Sequence, residues 1–358
     1  MTLPAAPRHV VDAAGQVALG RYAGQAESFD WAALSAPYRR SALWRRFHHK
    51  RWHYVSLACD ELFCAVAIVD LGWTSTAFAY AFDRRERQVV AAFSQDGVPG
   101  LGASMASHVG AQSRFRFLSN RITLGATGHS AHALTLRCGD FHIDAQFAGA
   151  GPMLLAVGAV DGGSVHATQK SPGMALLGEV RMGARRVELD GGVASIDYSN
   201  GLLARETDWR WACAHSLDMG FNLQAGYFGA NENALWLDGK IIPLAAAHFD
   251  FNEQDPTAPW HVRTDDGLLE LHFCAEGARR EDKNLLVAAS CYVQPIGTFS
   301  GWVRASPNSA KVAVKQLAGV TENHRSRWLK TRSQSPELAI YQTGCVGHLY
   351  TCFSGPMK

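Results

Sequence analysis

The sequence is short of charge. Lys, Arg, Asp and Glu make up 18% of its 358 residues, where an ordinary soluble domain carries about 25%. The 34 basic residues almost cancel the 32 acidic ones, leaving a net charge of +2. That balance argues against a nucleic-acid binder held by phosphate neutralisation and against a polybasic membrane-surface protein. Long apolar runs are missing too. The longest, such as Met153–Val160, fall far short of the ~20 residues that span a bilayer. The amino terminus, MTLPAAPRHVVDAAG, lacks a basic segment followed by an apolar core, which argues against a secretory signal. The eight cysteines are scattered without a CxxC pair. Zinc-ribbon and thioredoxin readings therefore fail, and thiols in a reducing cytoplasm are expected. No Walker A loop or dinucleotide fingerprint is present; Gly100-x-Gly102 lacks both the third glycine and a preceding strand. No cofactor is expected.

Apolar residues, at 47%, rule out disorder as a description of the whole chain, and glycine (34) and tryptophan (10) are plentiful. Residues 1–50 read as an arm in which Asp30 caps a short helix and Leu43, Trp44 and Phe47 recur at helical spacing. From Trp52 the period becomes two. Trp52 and Tyr54 alternate with His53 and Val55, and Phe78, Tyr80 and Phe82 alternate with small residues. Phe141, Ile143, Ala145 and Phe147 then face one way while His142, Asp144 and Gln146 face the other. This is the pattern of antiparallel strands with one face on a core. Asp96-Gly97, Asp161-Gly162, Asp190-Gly191, Asp238-Gly239 and Asp266-Gly267 punctuate it as hairpin turns. Strand–helix–strand alternation is absent, so the fold is mainly β.

A faint duplication runs through the chain. Trp52-x-Tyr54 opens one segment and Trp209-x-Trp211 another; at the same offset, 157 residues, Phe78-x-Tyr80 superposes on Leu235-x-Leu237. The glycine-rich stretch Asp161–Gly178 offers a boundary between them. The expected organisation is a short helical arm over 1–50, one β-barrel or sandwich half over 51–165, a second over 175–328, and a loosely packed tail over 329–358.

The sharpest chemical cluster lies between Asp197 and Leu237. It holds Asp197 and Tyr198, the pair Trp209 and Trp211 on one strand face, Tyr227, and Glu232 flanked by Asn231 and Asn233. Indoles lining a cavity would clamp an apolar ligand. A carboxylic acid beside them would have its pKa raised by desolvation and could protonate an alkene or carbonyl. Asp197, Tyr198, Glu232 and His248 are therefore the candidate acid–base residues. Trp209, Trp211, Tyr227, Asn231, Asn233 and Arg280 are the candidate ligand contacts. His248 shares a strand face with Asp250; Arg280 sits in the charged run Arg279–Lys283; Glu322 and His324 lead up to Trp328. The plainer account of each is a core aromatic, a turn-tethering carboxylate or a solvated face.

Other motifs read as accidental. Asp140-x-His142-x-Asp144 spaces its side chains roughly 7 Å apart, too far for one metal. His129-x-x-His132 has no helix signal, and Gly102-Ala-Ser104-Met-Ala106 sits in a loop instead of a strand-to-helix elbow. No metal site is expected.

The phrases KRWHYVSLACDELFCAVAIVDLGW, TDWRWACA, GYFGANENALWLDGKIIPL, ARREDKNLLVAAS, QPIGTFSGWV and GVTENHRSRW resemble the bacterial family called domain of unknown function 2804, over roughly Lys50 to Trp328. That family lends no activity. A remoter resemblance, through Ala194–Gly201 and Asp208–Trp211, runs to the double-calycin group of hydroxyneurosporene synthase, a carotenoid hydratase. Where that group carries His and Trp, this sequence has Tyr198 and Asn200; Asp197 is kept. The resemblance implies two lipocalin-like (calycin) barrels around a greasy cavity.

Three readings follow. The first is a cofactor-independent acid–base enzyme (isomerase, hydratase or cyclase) acting on an isoprenoid- or lipid-like molecule. The second is a cytoplasmic carrier of such a hydrophobic small molecule without chemistry. The third is a partner-binding protein whose aromatics are simply core. Burial of Asp197 and Glu232 in one cavity separates the first from the others.

Overall fold

The computed structural model describes residues 2–98, 100–128, 130–149, 151–285 and 288–328, with backbone alone at 282–285, 288–291, 327 and 328. The expected tail at 329–358, and His129, lie outside the described residues. Twenty-four strands and one helix are present among those described. The strands form two antiparallel sheets, of fifteen and nine strands, which curl into a nearly closed barrel and a half-barrel. The chain is mainly β, with two calycin-like bodies packed together.

The first sheet uses strands between Gly20 and Leu202, and the second those between Glu206 and Trp328. The crossing from one to the other therefore falls between Leu202 and Glu206, not in Asp161–Gly178. That glycine-rich stretch folds into Val165–Lys170 and the start of Met174–Met182, both in the first sheet. Its glycines serve close approach. A Cβ on Gly173 would lie 2.1 Å from the Ser216 carbonyl oxygen, and one on Gly178 2.0 Å from that of Asp144.

Duplication is visible in the strands themselves. His49–Ala58 and Glu206–His215 start at 49 and 206 and end at 58 and 215, the same offset of 157 at both ends. Each then runs through a hairpin into its next strand, Leu62–Asp70 and Met219–Gly226 respectively. Each also pairs on its other side with the last strand of its own sheet's segment, Gly192–Leu202 and Val312–Trp328.

Strand alternation distributes these residues over three apolar layers. Val55, Leu57, Val66 and Ile68 enter the first core, while Phe221, Trp260, Phe273 and Phe299 fill the second. The intervening residues point outward from each sheet and meet: Tyr54, Phe63, Tyr80 and Phe82 pack against Trp211, Ile296 and Val320. Thus the two sheets share an aromatic layer that belongs to neither core alone.

The amino-terminal arm departs from expectation in detail. Its helix spans Ala42–His48 and is capped by Ser41, whose hydroxyl accepts the Trp44 N–H. Asp30 instead closes a turn by accepting the Ala32 N–H, because its carboxylate sits too far upstream to reach the helix. Gly20–Ala23 adds a strand to the first sheet beside Leu154–Ala159.

Phe299 packs against Phe221 and Phe273 with ring centroids 5.0 and 4.6 Å away. Phe299→Ala is expected to lower the unfolding free energy by about 3–5 kcal/mol; urea denaturation followed by circular dichroism measures this.

Candidate functional site

A cavity of about 140 Å³ lies between the two sheets, at one end of the shared aromatic layer. Period two explains its walls: Trp52 and Tyr54 leave one face of His49–Ala58 while Val55 and Leu57 leave the other. Trp209 and Trp211 do the same from Glu206–His215. The duplicated pairs therefore confront each other. Trp52 and Trp209 lie nearly parallel with centroids 6.5 Å apart, and Tyr54 stands edge-on to Trp211 at 5.7 Å. Phe78, Tyr227 and Tyr292 complete the apolar lining.

An ionic group interrupts this wall. Lys170, the last residue of its strand, is directly opposite Asp197 in the register of the first sheet. Its ammonium pairs with Asp197 Oδ2 and, at 3.1 Å, with Glu232 Oε2 from the second half. Lys170 and Glu232 are buried, and Asp197 is largely so. Glu232 is held where it is by its loop: Asn222 accepts the Trp211 indole N–H at 2.8 Å and donates to the Glu232 carbonyl at 3.0 Å. The Thr168 and Ser199 hydroxyls lie 3.4 and 3.2 Å from Asp197 Oδ1 and donate to it.

Burial opposes the charge on Lys170, but the two carboxylates more than offset it, so the ammonium is held above its ordinary pKa. Glu232 is pushed the other way from a normal carboxylate. Burial raises its pKa, Lys170 pulls it down, and the neighbouring charge of Asp197 raises it further. One cation shared by two carboxyls leaves an excess negative charge, which raises the Glu232 pKa further.

A third acid faces the same cavity. Glu322 accepts the Trp209 indole N–H at 2.9 Å and the Gln294 amide at 3.0 Å, while Tyr80 donates to the Gln294 oxygen. The His324 ring lies 3.4 Å from it. Lys50 closes the far end; its ammonium donates to the Phe47 and Leu71 carbonyls, and burial draws its pKa down to about 7.

Some cavity-lining polar groups have no partner among the described residues. Both amide atoms of Gln224, the Tyr54 hydroxyl and the Thr207 hydroxyl are buried in this state. Leaving such a group unsatisfied costs about 1–3 kcal/mol.

Of the residues singled out from the sequence, Asp197, Glu232, Trp209, Trp211 and Tyr227 come together here. Tyr198 does not. It follows Asp197 and so points to the opposite face, into the first core, where its hydroxyl donates to the Ala106 carbonyl at 2.8 Å. Burial pushes that phenol up to about 12. His248 is an exposed residue of the second sheet, paired with Asp265 at 2.6 Å. Asn231 and Asn233 are loop fasteners: the first donates to the Phe228 carbonyl, and the second joins the Gln224 N–H to the Ala245 carbonyl. Arg280 is exposed, whereas its neighbour Arg279 is buried over the rings of Phe78 and Tyr292, at 4.2 and 5.1 Å. A one-residue step along a strand reverses the face in both cases.

Sequence reasoning missed Lys170, Lys50 and Gln224, and did not place Trp52, Tyr54 or Glu322 in the site. For Trp52 and Tyr54 the signal was present: they are the duplicate of Trp209 and Trp211. Among the described residues no three His, Cys, Asp or Glu side chains gather to hold a metal. Asp144 instead pairs with Arg137 at 2.7 Å on an exposed face.

The family model described as a domain of unknown function, DUF2804, matches residues 4–328. The chain belongs to that family. The match begins well before Lys50, so the arm is part of it. No curated protein matches the sequence. Among solved structures, a kievitone hydratase from Nectria haematococca is similar, with a TM-score of 0.52 at 9% identity over 78% of this chain and 88% of that one. An AttH-type protein from Nitrosomonas europaea has a TM-score of 0.51 at 10% identity, covering 78% and 92% of the two chains. At such identities the likeness is one of fold.

Lys170→Met would leave two carboxylates without a cation. The unfolding free energy is expected to fall by about 3–5 kcal/mol at neutral pH. Because burial raises the folded-state pKa of Glu232, the folded chain binds more protons than the unfolded chain between the ordinary and raised values. Stability of the variant therefore rises as pH falls through that window. Urea titrations over a range of pH test this; a variant as stable as the parent at neutral pH would count against the ionic assignment.

Proposed function

We propose that this protein is a cofactor-independent acid–base enzyme that hydrates or isomerises an apolar, isoprenoid- or lipid-like molecule carrying a hydrogen-bonding group. One observation carries the reading: a buried and a largely buried carboxyl group share a single buried lysine beside an aromatic cavity. A protein that only stores a ligand has little use for ionisable groups placed there. Glu232 is the proton donor. Its proton forms a new C–H bond with the electron pair of an alkene, and the resulting cation faces the electron-rich rings of Trp209, Trp211 and Tyr54. Asp197, paired with the Lys170 ammonium, then takes a proton, either from a water that adds to the cation or from the adjacent carbon. The first course is hydration and the second isomerisation. Gln224, Tyr54 and Thr207 orient the substrate's polar group. The shared fold of a kievitone hydratase supports a hydratase-type reaction without specifying the substrate. Five described cysteines are free thiols, which suits a reducing cytoplasm.

The carrier reading draws on a different observation, the unpartnered Gln224 amide and Tyr54 and Thr207 hydroxyls, which suffice to hold a polar group without chemistry.

Apolar extracts of host cells incubated with the protein, followed by mass spectrometry, distinguish the two. The parent protein is expected to convert one component into a product altered by one water or isomeric with it. Glu232→Gln and Asp197→Asn should each slow conversion by about 10²–10⁴-fold while the compound still quenches tryptophan fluorescence. The rate of the parent should fall as pH rises through the raised Glu232 pKa, and Glu232→Gln should lack that limb. Unaltered recovery of a bound compound would favour the carrier.

A further inference from the structure

The near-neutral net charge hides a local imbalance. Residues 31–59 contain six Arg and Lys and no Asp or Glu. Lys50 turns inward, Arg51 pairs with Asp70, and Arg40 and Arg45 donate to nearby backbone carbonyls. Arg39 and Arg46 stay exposed. Between and beside them, the helix Ala42–His48 buries none of its residues: Leu43 is 69% exposed and Phe47, one turn later, 38%. Trp44 packs against the first core from this helix, but Leu43 and Phe47 do not, so these two apolar side chains need another explanation.

The helix is nonetheless firmly attached. Gly72 turns beneath it with φ +84°, and a Cβ there would lie 2.1 Å from the Arg46 carbonyl oxygen. The Gly72 turn is in turn bonded, through the Thr74 hydroxyl and the Gly97 carbonyl, to the loop that exposes Val98 and Leu101. Four exposed apolar side chains therefore ring one end of the first sheet. The same end closes the cavity. Lys50 joins the Phe47 and Leu71 carbonyls, the His48 carbonyl accepts the Leu203 N–H, and Lys50, Leu71 and Leu203 all line the cavity.

We infer that this end of the molecule docks on an anionic lipid bilayer, with Leu43, Phe47, Val98 and Leu101 entering the interface and Arg39 and Arg46 meeting the headgroups. Charge complementarity selects the surface: arginines without intervening acids match anionic lipid, and short apolar side chains at their centre match the acyl boundary. Docking here sets the cavity end against the phase in which an apolar ligand dissolves. That last point rests on the proposed ligand class; the docking itself is measured without any turnover.

Co-sedimentation of the full chain with vesicles tests it. Binding to phosphatidylcholine vesicles containing phosphatidylglycerol is expected to exceed binding to pure phosphatidylcholine by about tenfold or more, and to weaken in high salt. The double variant Leu43→Ser/Phe47→Ser and the double variant Arg39→Gln/Arg46→Gln should each lose about tenfold in affinity. Their circular dichroism should match the parent, because all four side chains are exposed. Failure to bind the anionic vesicles would overturn the proposal, as would binding that neither variant weakens. Retention on a protein partner in place of the vesicles would assign the patch to protein recognition and overturn it equally.

Discussion

Everything at the centre of this molecule depends on one buried ammonium. Lys170 and Asp197 belong to the first sheet and Glu232 to the second half, so the ion group spans the junction between them. Removing a charge from water is tolerable only when a counter-charge is close and the geometry is right. The two sheets must therefore dock in the one arrangement that brings Glu232 to Lys170. The same requirement leaves the group with more carboxyls than cations. A structural constraint thus becomes a chemical property, because burial and the neighbouring carboxylate raise the Glu232 pKa above that of an ordinary carboxyl.

Around that group the molecule is built from duplicated parts. Each half begins with a strand whose outward face carries two aromatic residues, and the two faces meet. The junction needs its aromatic pair from each side, and this gives the cavity walls of equivalent origin. What breaks the equivalence is polar. Lys170 and Asp197 come from the first sheet alone, and the Glu322–Gln294–Tyr80 chain ties the two together from the other side. An apolar clamp with acids at its edges arises from two bodies that individually have filled cores. The cavity is a property of the pair.

The fold was largely legible in the sequence because its signals are local. Period-two aromatics and Asp-Gly turns report strands and hairpins without knowledge of what the strands face. The duplication at an offset of 157 was legible for the same reason. The limits lay in contacts between distant segments. Asp161–Gly178 reads as a linker by composition, yet its glycines answer to the carbonyls of Ser216 and Asp144, far away along the chain. Tyr198 and Arg280 adjoin residues that matter, and the pleat turned them away. Asn233 looks like a ligand contact but is spent on backbone groups of two neighbouring segments, at Gln224 and Ala245.

By itself, then, the sequence determined that this chain forms antiparallel strands in two related halves, and that its densest grouping of acids and indoles lies around Asp197, Glu232 and a pair of tryptophans. Those properties follow from residue type and spacing over a few tens of residues. Only the tertiary structure decided that Lys170 stands between the two acids, that Trp52 and Tyr54 face Trp209 and Trp211, and that Glu322 looks into the same space. The physical reason is that burial and charge pairing depend on distance in space, and in this fold strand pairing and sheet docking bring together partners from 27 residues apart, Lys170 and Asp197, to far more distant ones.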